Sequence, residues 1–323
     1  MSPNAKLSTP LTSLLGMSHP IMLAGMDQVA GPELAAAVTN AGGFGTLGGA
    51  RYTPNMLRDM IAEMKGKLSD KSAPFGVDLL IPQVGGSARK TNYDYTKGNL
   101  NELLDIIIES KTKLFVSAVG IPPAWAVEKL HKAGILYMFR TWSAIQSMCT
   151  KHVEQAQTSS APREQKEAAT LAISRQVTKS SILIPACADI VRQYQSPLTK
   201  KPVLLVAGGG MNDGRSVAAA LMLGASGVWV GTRFIPSVES KYPEHAKKQV
   251  IDADYDFWVR SLIWSGRPLR SLRTPYVNDW EANRQAEIPD LTSRGIVPLE
   301  YELDRLHREG KLTEEIEEQA ALR

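Results

Sequence analysis

The chain has 323 residues, 43% of them hydrophobic, which is enough apolar material to bury one large core or two modest ones. Its net charge of +4 comes from lysines and arginines scattered among acidic residues, a pattern that does not indicate nucleic acid binding. The two cysteines, Cys149 and Cys187, lack CxxC spacing, so neither a disulfide framework nor a metal site is predicted.

The sequence contains no segment that indicates a membrane or an export pathway. No apolar run approaches the roughly 20 residues of a membrane-spanning helix. The N-terminus, MSPNAKLSTPLTSLLG, lacks the charged-then-apolar layout of a secretion signal. We therefore expect a soluble, intracellular, cytoplasmic protein without a membrane or nucleic acid partner, and the sequence leaves its oligomeric state open.

Short apolar runs recur along the chain, and helix-like segments follow them. The runs span residues 21–26, 44–48, 75–80, 114–120, 135–138, 203–210 and 227–234. Continuous apolar strands are typical of a parallel sheet covered by helices. The helical segments include PELAAAVTNAG, LNELLDIIIESK, PAWAVEKLHKAG and GRSVAAALMLGA, three of which carry a glycine that can end the helix. The alternation predicts an α/β fold, either a barrel or a doubly wound sheet.

The predicted architecture departs from a regular barrel in two places, a missing strand and a C-terminal tail. An eighth strand is missing where the sixth is expected. The tail after about residue 255 is rich in charges, Trp and Pro, and indicates appended helices without a second core. The prediction is thus a single barrel domain over residues 1–323.

Glycines follow the last two predicted strands. Gly208, Gly209 and Gly210 follow one, and Gly231 with Thr232 ends the next. In (β/α)8 barrels the loops after strands seven and eight commonly hold a phosphate on backbone N–H groups. Glycine permits close approach of the backbone to the anion. Each glycine alone could serve only a tight turn, but together they favour a phosphate site.

Several segments resemble the nitronate monooxygenases, also known as 2-nitropropane dioxygenases. They are PIMLAGM, AGGFGTLGG, PFGVDLL, VLLVAGGGMNDGRSVAAALMLGASGVWVGTRF and SGRPLRSLRTPYVNDWE, within residues 19–138 and 181–285. The resemblance implies a (β/α)8 TIM barrel with bound FMN. Flavin-dependent enoyl-acyl carrier protein reductases share much of the glycine-rich block.

The resemblance also implies which residues bind the FMN. The phosphate is expected on the glycines of the last two loops and on Thr232, and the flavin ring at the end of the first strand. Met26 could instead be core packing, whereas Asp78 closes a strand on the catalytic face and matches a polar contact to the flavin. The implied cofactor-binding residues are Ala24, Gly25, Met26, Asp78, Gly208, Gly209, Trp229, Val230, Gly231 and Thr232.

The family's glycine-rich loop and histidine, of the type GGxGGGHTGD, are absent from their expected place. Residues 139–180 are instead polar and Gln-rich, contain no glycine and show no barrel-strand pattern. We expect this segment to lie outside the sheet as helix or coil, and the catalytic residues stay unassigned. A natural lid insertion is the alternative interpretation.

A shifted reading of the codons explains the loss. Between Arg140 and Val177 the shifted frame permits a strand, ADIICAQG, then a glycine-rich loop and HTGD in the family's order. The stretch AATLAI at 168–173, for example, can be written GCG GCC ACA CTG GCG AT, which shifts to Gly-His-Thr-Gly-Asp. We infer that residues 139–180 are out of frame across misplaced intron boundaries.

The function implied by the resemblance is oxidation of an alkyl nitronate by O2. The flavin carries the electron chemistry, and a histidine of ordinary pKa near neutrality serves as proton acceptor. No numbered residue of this chain takes that role, so the chain as written is expected to be inactive. The alternatives are a flavin-dependent enoyl reductase and a non-catalytic flavin-binding remnant.

Overall fold

The computed structural model describes residues 7–82, 90–141, 169–173, 180–196, 198–314 and 316–317. The chain divides into two compact units. The first is Met1–Pro82 with Asp94–Lys241, and the second is Gln83–Tyr93 with Tyr242–Arg323. The second unit therefore begins before the boundary at about 255 that the sequence suggests. None of the described helices is long and apolar enough to cross a membrane.

The described part of the first unit contains one eight-stranded parallel sheet. Its neighbours follow the order β1-β8-β7-β6-β5-β4-β3-β2, and a parallel bridge between Met22 and Phe44 joins β1 to the residues before β2. The ring of strands is thereby closed, and the predicted (β/α)8 barrel is confirmed. The strands are β1 (Ile21–Leu23), β2 (Thr46–Gly49), β3 (Gly76–Ile81), β4 (Leu114–Val119), β5 (Leu136–Thr141), β6 (Ala169–Ile173), β7 (Leu205–Gly208) and β8 (Gly227–Val230).

Helices alternate with these strands and continue into the second unit. The predicted helical segments are confirmed, and the glycines that follow three of them, Gly42, Gly134 and Gly224, have φ of 87°, 73° and 101°. The described helices are α1 (Pro10–Leu15), α2 (Pro32–Asn40), α3 (Pro54–Lys67), α4 (Leu100–Glu109), α5 (Ala124–Lys132), α6 (Ser180–Val191), α7 (Gly214–Met222), α8 (Glu244–Asp252), α9 (Pro275–Ala282), α10 (Glu287–Ser293) and α11 (Pro298–Arg308).

Side chains alternate between the two faces of the strands, as the strand period of two requires. The barrel interior is filled by one apolar cluster, and α1 adds Leu11 and Leu15 to it. A second cluster lies between the sheet and the helices and includes Leu205, Val228 and Val230 together with residues of α6. This two-layered burial explains why the strands are apolar almost throughout.

The prediction that the sixth strand is missing is wrong. β6 pairs in parallel with β5 from Met138↔Ala169 to Thr141↔Ala172, and with β7 from Thr170↔Leu205 to Ile173↔Gly208. The segment as a whole is polar, but the five residues ATLAI, four of them apolar, suffice to pair the two edges that would otherwise be open. The rest of the predicted anomalous segment, 142–168 and 174–179, lies outside the described residues.

Among the described residues, β6 does not reach the amino end of β5. Its first residue pairs with Met138, so Leu136 and Tyr137 have no β6 partner in the described part of the chain. A cavity of about 640 Å³ opens at this end, opposite the carboxyl ends of the strands. Its apolar lining includes Leu11, Leu14, Met22, Leu114, Leu136 and Leu204.

The second unit has a core of its own, so the expected coreless helical tail is wrong. A two-stranded antiparallel sheet, β9 (Trp258–Ser261) and β10 (Leu269–Leu272), accompanies helices α8 to α11. Trp264 and Trp280 are buried among Ile, Leu and Val side chains. Arg284 lies over the Trp280 ring, 3.6 Å from its centroid, and binds the buried Glu302.

Candidate functional site

The residues after β1 reach the carboxyl end of the barrel in a short, well-bonded loop. Ala24 N–H donates to the carbonyl of Val230 at 2.8 Å, which holds the loop against β8. Ala30 N–H donates to the carbonyl of Met26 at 2.9 Å, which turns the chain towards α2. Ala24, Gly25 and Met26 therefore lie at the catalytic face of the barrel, as the sequence predicts.

Gly25 is in close contact with Asp78. A Cβ atom placed on Gly25 would lie 2.3 Å from Asp78 Oδ2, so only glycine fits beside this carboxylate. Asp78 is 4% exposed and pairs in register with Gly48 of β2. A Cβ on Gly48 would in turn lie 2.2 Å from Gly25 Cα. Two glycines thus allow the β1 loop to pass over β2 and to contact the buried carboxylate of β3.

The β7–α7 loop presents backbone N–H groups at the same face. Gly209 and Gly210 have φ of 90° and 73°, a conformation that favours glycine. Both residues are exposed, and a Cβ on Gly210 would meet no atom within 4 Å. No hydrogen bond from these two amides to another described residue is found. They are therefore available to an anion.

The start of α7 is fixed independently of any ligand. Asp213 is the N-cap residue, and its carboxylate accepts hydrogen bonds from the N–H groups of Arg215 and Ser216 at 2.9 and 3.2 Å. Hydrogen bonds from the Arg215 side chain and from Ser216 hold the pKa of Asp213 below its usual range. The Asp213 carboxylate is thus engaged by the first turn of α7. In the loop before it, the backbone N–H groups of the glycines are the groups that could bind an anion.

The β8 loop approaches the β1 loop. Gly231 precedes a short 3-10 helix, Thr232–Phe234, in which Phe234 N–H donates to the Gly231 carbonyl at 2.8 Å. A Cβ on Gly231 would lie 3.5 Å from Met26 Sδ and 3.6 Å from the Ala24 side chain. Met26 therefore lies beside Gly231, and its partly buried side chain also packs against the apolar cluster inside the barrel, as a core residue would.

The two remaining predicted residues, Trp229 and Val230, point in opposite directions. Trp229 belongs to the apolar cluster inside the barrel, whereas Val230 packs in the cluster between sheet and helices. The Val230 side chain thus faces away from the barrel mouth, and its carbonyl is occupied by Ala24. Strand alternation could have given this from the sequence.

Two residues at the mouth, Asp27 and Tyr52, escaped the sequence patterns. Asp27 Oδ1 accepts a hydrogen bond from Ala50 N–H at 3.1 Å. Tyr52 is 7% exposed and lies so close to Gly49 that a Cβ there would be 2.6 Å from its hydroxyl oxygen. Burial, and then the charges of Asp27 and Asp78, raise the pKa of the Tyr52 phenol above its ordinary value. The phenol is therefore held in its protonated form.

The structure thus brings together most of the predicted flavin-binding residues. Ala24, Gly25, Met26, Asp78 and Gly231 are linked by the close approaches described above. Gly208 and Gly209 lie at the end of the neighbouring β7, and Thr232 follows Gly231. Exposed amides in two adjacent loops fit a phosphate, and the glycine-lined β1 loop fits a flat ring beside it.

Comparisons with known proteins show the family and the fold of the chain. A family model described as nitronate monooxygenase matches residues 8–319. A dehydrogenase of Rhodococcus jostii, named for a hydroxy-methyl-oxo-octahydro-indene-carboxyl-CoA, is 30% identical over 85% of this chain and 68% of its own. A probable nitronate monooxygenase of Staphylococcus saprophyticus is 27% identical over 88% and 84%. The solved structure of FabK from Thermotoga maritima superimposes with a TM-score of 0.67 and 28% identity, over 93% of this chain and 84% of that one.

Proposed function

The chain belongs to the nitronate monooxygenase family, and we propose that its gene product binds FMN and oxidises alkyl nitronates with O2. Membership makes it an oxidoreductase of a flavin-dependent class.

One observation carries the proposal, namely the meeting of the β1 and β8 loops at the barrel mouth. Gly25 lies against Asp78, and Gly231 lies within van der Waals distance of Met26. The phosphate would be held by the amides of Gly209, Gly231 and Thr232. The ring would then lie between the phosphate loops and the β1 loop.

The flavin, when bound, accepts electrons from the substrate and passes them to O2. The chain's own residues would orient the ring. Asp78 is buried, and its carboxylate would accept a hydrogen bond from an N–H of the flavin. An alkyl nitronate has already lost its proton, so its oxidation needs orientation more than it needs a base.

The histidine of the family has no assigned counterpart in the described residues. We propose that it is supplied by the shifted reading of residues 139–180, so that the chain as written keeps the flavin half of the site and lacks turnover.

The proposal is tested in two steps with the same protein. The purified chain is denatured and the released flavin identified, and FMN is expected at one per chain. Oxygen consumption with an alkyl nitronate is then compared between the written chain and a chain whose residues 139–180 carry the shifted reading. We expect consumption only from the second. Stoichiometric FAD, or no flavin in either chain, would overturn the cofactor assignment, and equal activity of the two chains would overturn the frame interpretation.

A second candidate function is reduction of an enoyl thioester. It is favoured by the similarity to FabK, described above, and by the dehydrogenase relative that acts on a CoA thioester by its name. It requires a nicotinamide nucleotide as electron source. Oxidation of NADH or NADPH that depends on an enoyl thioester, without oxidation of nitronates, would establish this function instead.

A further inference from the structure

The two-stranded sheet of the second unit carries two arginines directly opposite each other. Arg260 of β9 pairs in register with Arg270 of β10. Directly opposed residues of an antiparallel pair point to the same face, with Cβ atoms about 4.5–5.5 Å apart. Both arginines are exposed. The sheet thus places two positive charges side by side at the surface.

The arginines lie on the face of the sheet that the core does not use. Val259 and Leu269 are their neighbours along the two strands, and both pack against the apolar cluster of the second unit. Successive residues of a strand point to opposite faces. Arg260 and Arg270 therefore point away from that cluster, towards the outside.

No neighbouring side chain neutralises this pair of charges in the part of the chain that the structure describes. Among those residues neither guanidinium has an ion pair or a hydrogen bond. Like charges directly opposite each other on a sheet are destabilising, so the fold gains nothing from placing the two arginines together. An anion bound by both would remove the repulsion.

One of the two guanidiniums is held in place before any ligand binds. Arg270 lies over the Trp258 ring, 5.3 Å from its centroid. Trp258 precedes Arg260 by two residues and so shares its face of β9. A side chain that is ordered in advance loses less conformational entropy on binding. The N–H donors of Arg270 have no acceptor among the described residues and stay available.

We propose that Arg260 and Arg270 bind the phosphate groups of a small phosphorylated molecule. A carboxylate has two oxygens, which a single guanidinium can occupy with its two parallel N–H bonds. A terminal phosphate has three acceptor oxygens and a charge of about −1.5 to −2, so it can bind both guanidiniums at once. Phosphate is therefore the group that uses both arginines. The site lies within the second unit and is independent of the proposed flavin site.

The test measures the binding of pyrophosphate and of ADP to the full-length chain by isothermal titration at one ionic strength. Wild type is compared with Arg260→Gln and with the control Arg294→Gln. Arg294 belongs to the same unit, has a side chain that is 54% exposed, and pairs with Asp290 at 3.2 Å. Each change removes one positive charge, so the two variants have equal net charge. Arg260→Gln should raise the pyrophosphate Kd about tenfold or more, whereas Arg294→Gln should leave it within about twofold.

Thermal unfolding gives a second readout that a purely structural role would not produce. Without phosphate, Arg260→Gln should keep or raise the wild-type Tm, because it removes the repulsion. Pyrophosphate should raise the Tm of wild type and of Arg294→Gln, but not that of Arg260→Gln. Equal affinities for ADP and pyrophosphate would show that the phosphates alone are bound, and tighter binding of ADP would show that the site takes a nucleotide.

Four results would overturn the proposal. They are no binding of pyrophosphate to wild type, succinate bound as tightly as pyrophosphate, an equal Kd for wild type and Arg260→Gln, and a lower Tm of Arg260→Gln without phosphate. The third is also the result expected if pyrophosphate binds only at the glycines of the barrel. FMN titration of the same proteins decides the proposed function separately, since neither substitution lies in the barrel.

Discussion

The contact between Gly48 and the β1 loop gives a sharp test of the flavin seat. In Gly48→Ala the new methyl group would lie 2.2 Å from Gly25 Cα, 2.6 Å from its carbonyl carbon and 2.7 Å from Met26 N. All three are backbone atoms, so no side chain can turn aside. Because real Cβ atoms essentially never come within 3.0 Å of such atoms, the β1 loop has to move by roughly 0.8 Å, the difference from 2.2 Å.

That displacement sets the expected magnitude. Overpacking of this kind costs about 1–3 kcal/mol in the free energy of unfolding. Misplacement of a site by ~1 Å can reduce function by about 100-fold. We therefore expect Gly48→Ala to weaken FMN binding at least tenfold, with a smaller proportional loss of stability. The measurements are flavin titration of depleted protein and urea unfolding.

Gly66 provides the matched control for this substitution. It lies in α3, is exposed, and a Cβ there would meet no atom within 4 Å. Gly66→Ala should stabilise the chain by about 0.5–1 kcal/mol, since alanine is the better helix former, and should leave FMN affinity as it was. If Gly48→Ala behaves like Gly66→Ala in both assays, the described contact between the β1 and β2 ends is wrong.

Three further predictions concern other parts of the molecule. In Gly210→Ala the new methyl group meets open space, but φ is 73°, so the free energy of unfolding should fall by about 1–2 kcal/mol. The same flavin titration should show weaker FMN binding, because the loop that would hold the phosphate is displaced. Unchanged affinity would exclude Gly210 from the phosphate loop. Arg284→Met should lower the free energy of unfolding by about 2 kcal/mol, because Glu302 is only 9% exposed and keeps only its longer contact with Arg305. The Arg284 guanidinium also lowers the pKa of Glu287 from its ordinary 4.5, so its stabilising effect is complete above that pH and lost as the pH falls through the lowered pKa; acid unfolding of Arg284→Met should lack this small loss. In the chain with the shifted reading, replacing the restored histidine by asparagine should reduce turnover of neutral nitroalkanes more than that of nitronates, and equal reductions would exclude the histidine as base.

The barrel could be predicted because most of its strands appear in the sequence as continuous apolar runs. Parallel strands are covered on both faces, so residues 203–210 and 227–234 are continuously hydrophobic. Such runs can be recognised without knowing how the strands pair. The runs overestimate strand length where the residues that leave the sheet are glycine, as β7 ends at Gly208. β6 is not predicted, for the converse reason: four apolar residues and one threonine inside a polar segment carry too little pattern to be distinguished from coil.

The candidate site was predictable by position and much less so by orientation. Glycines after the late strands indicated the proposed phosphate loops, and the end of the first strand indicated the proposed place of the ring. The Trp229 and Val230 side chains point to opposite faces of the sheet, and strand alternation predicts this from the sequence. The approach of Gly48 to Gly25 and the burial of Tyr52 depend on the path of two loops, which no local pattern specifies.

The short β6 has a consequence for the response of the chain to hydrostatic pressure. The cavity of about 640 Å³ at the amino end of the barrel lies next to Leu136 and Tyr137, which have no β6 partner among the residues that the structure describes. Its lining is largely apolar, so water gains little by entering it while the barrel is folded, and the space is eliminated when the barrel opens. The volume of the system then falls on unfolding, by an amount that scales with the lost void. Compression of a few kilobar, at a temperature where the chain is otherwise stable, should therefore open the barrel at this end first.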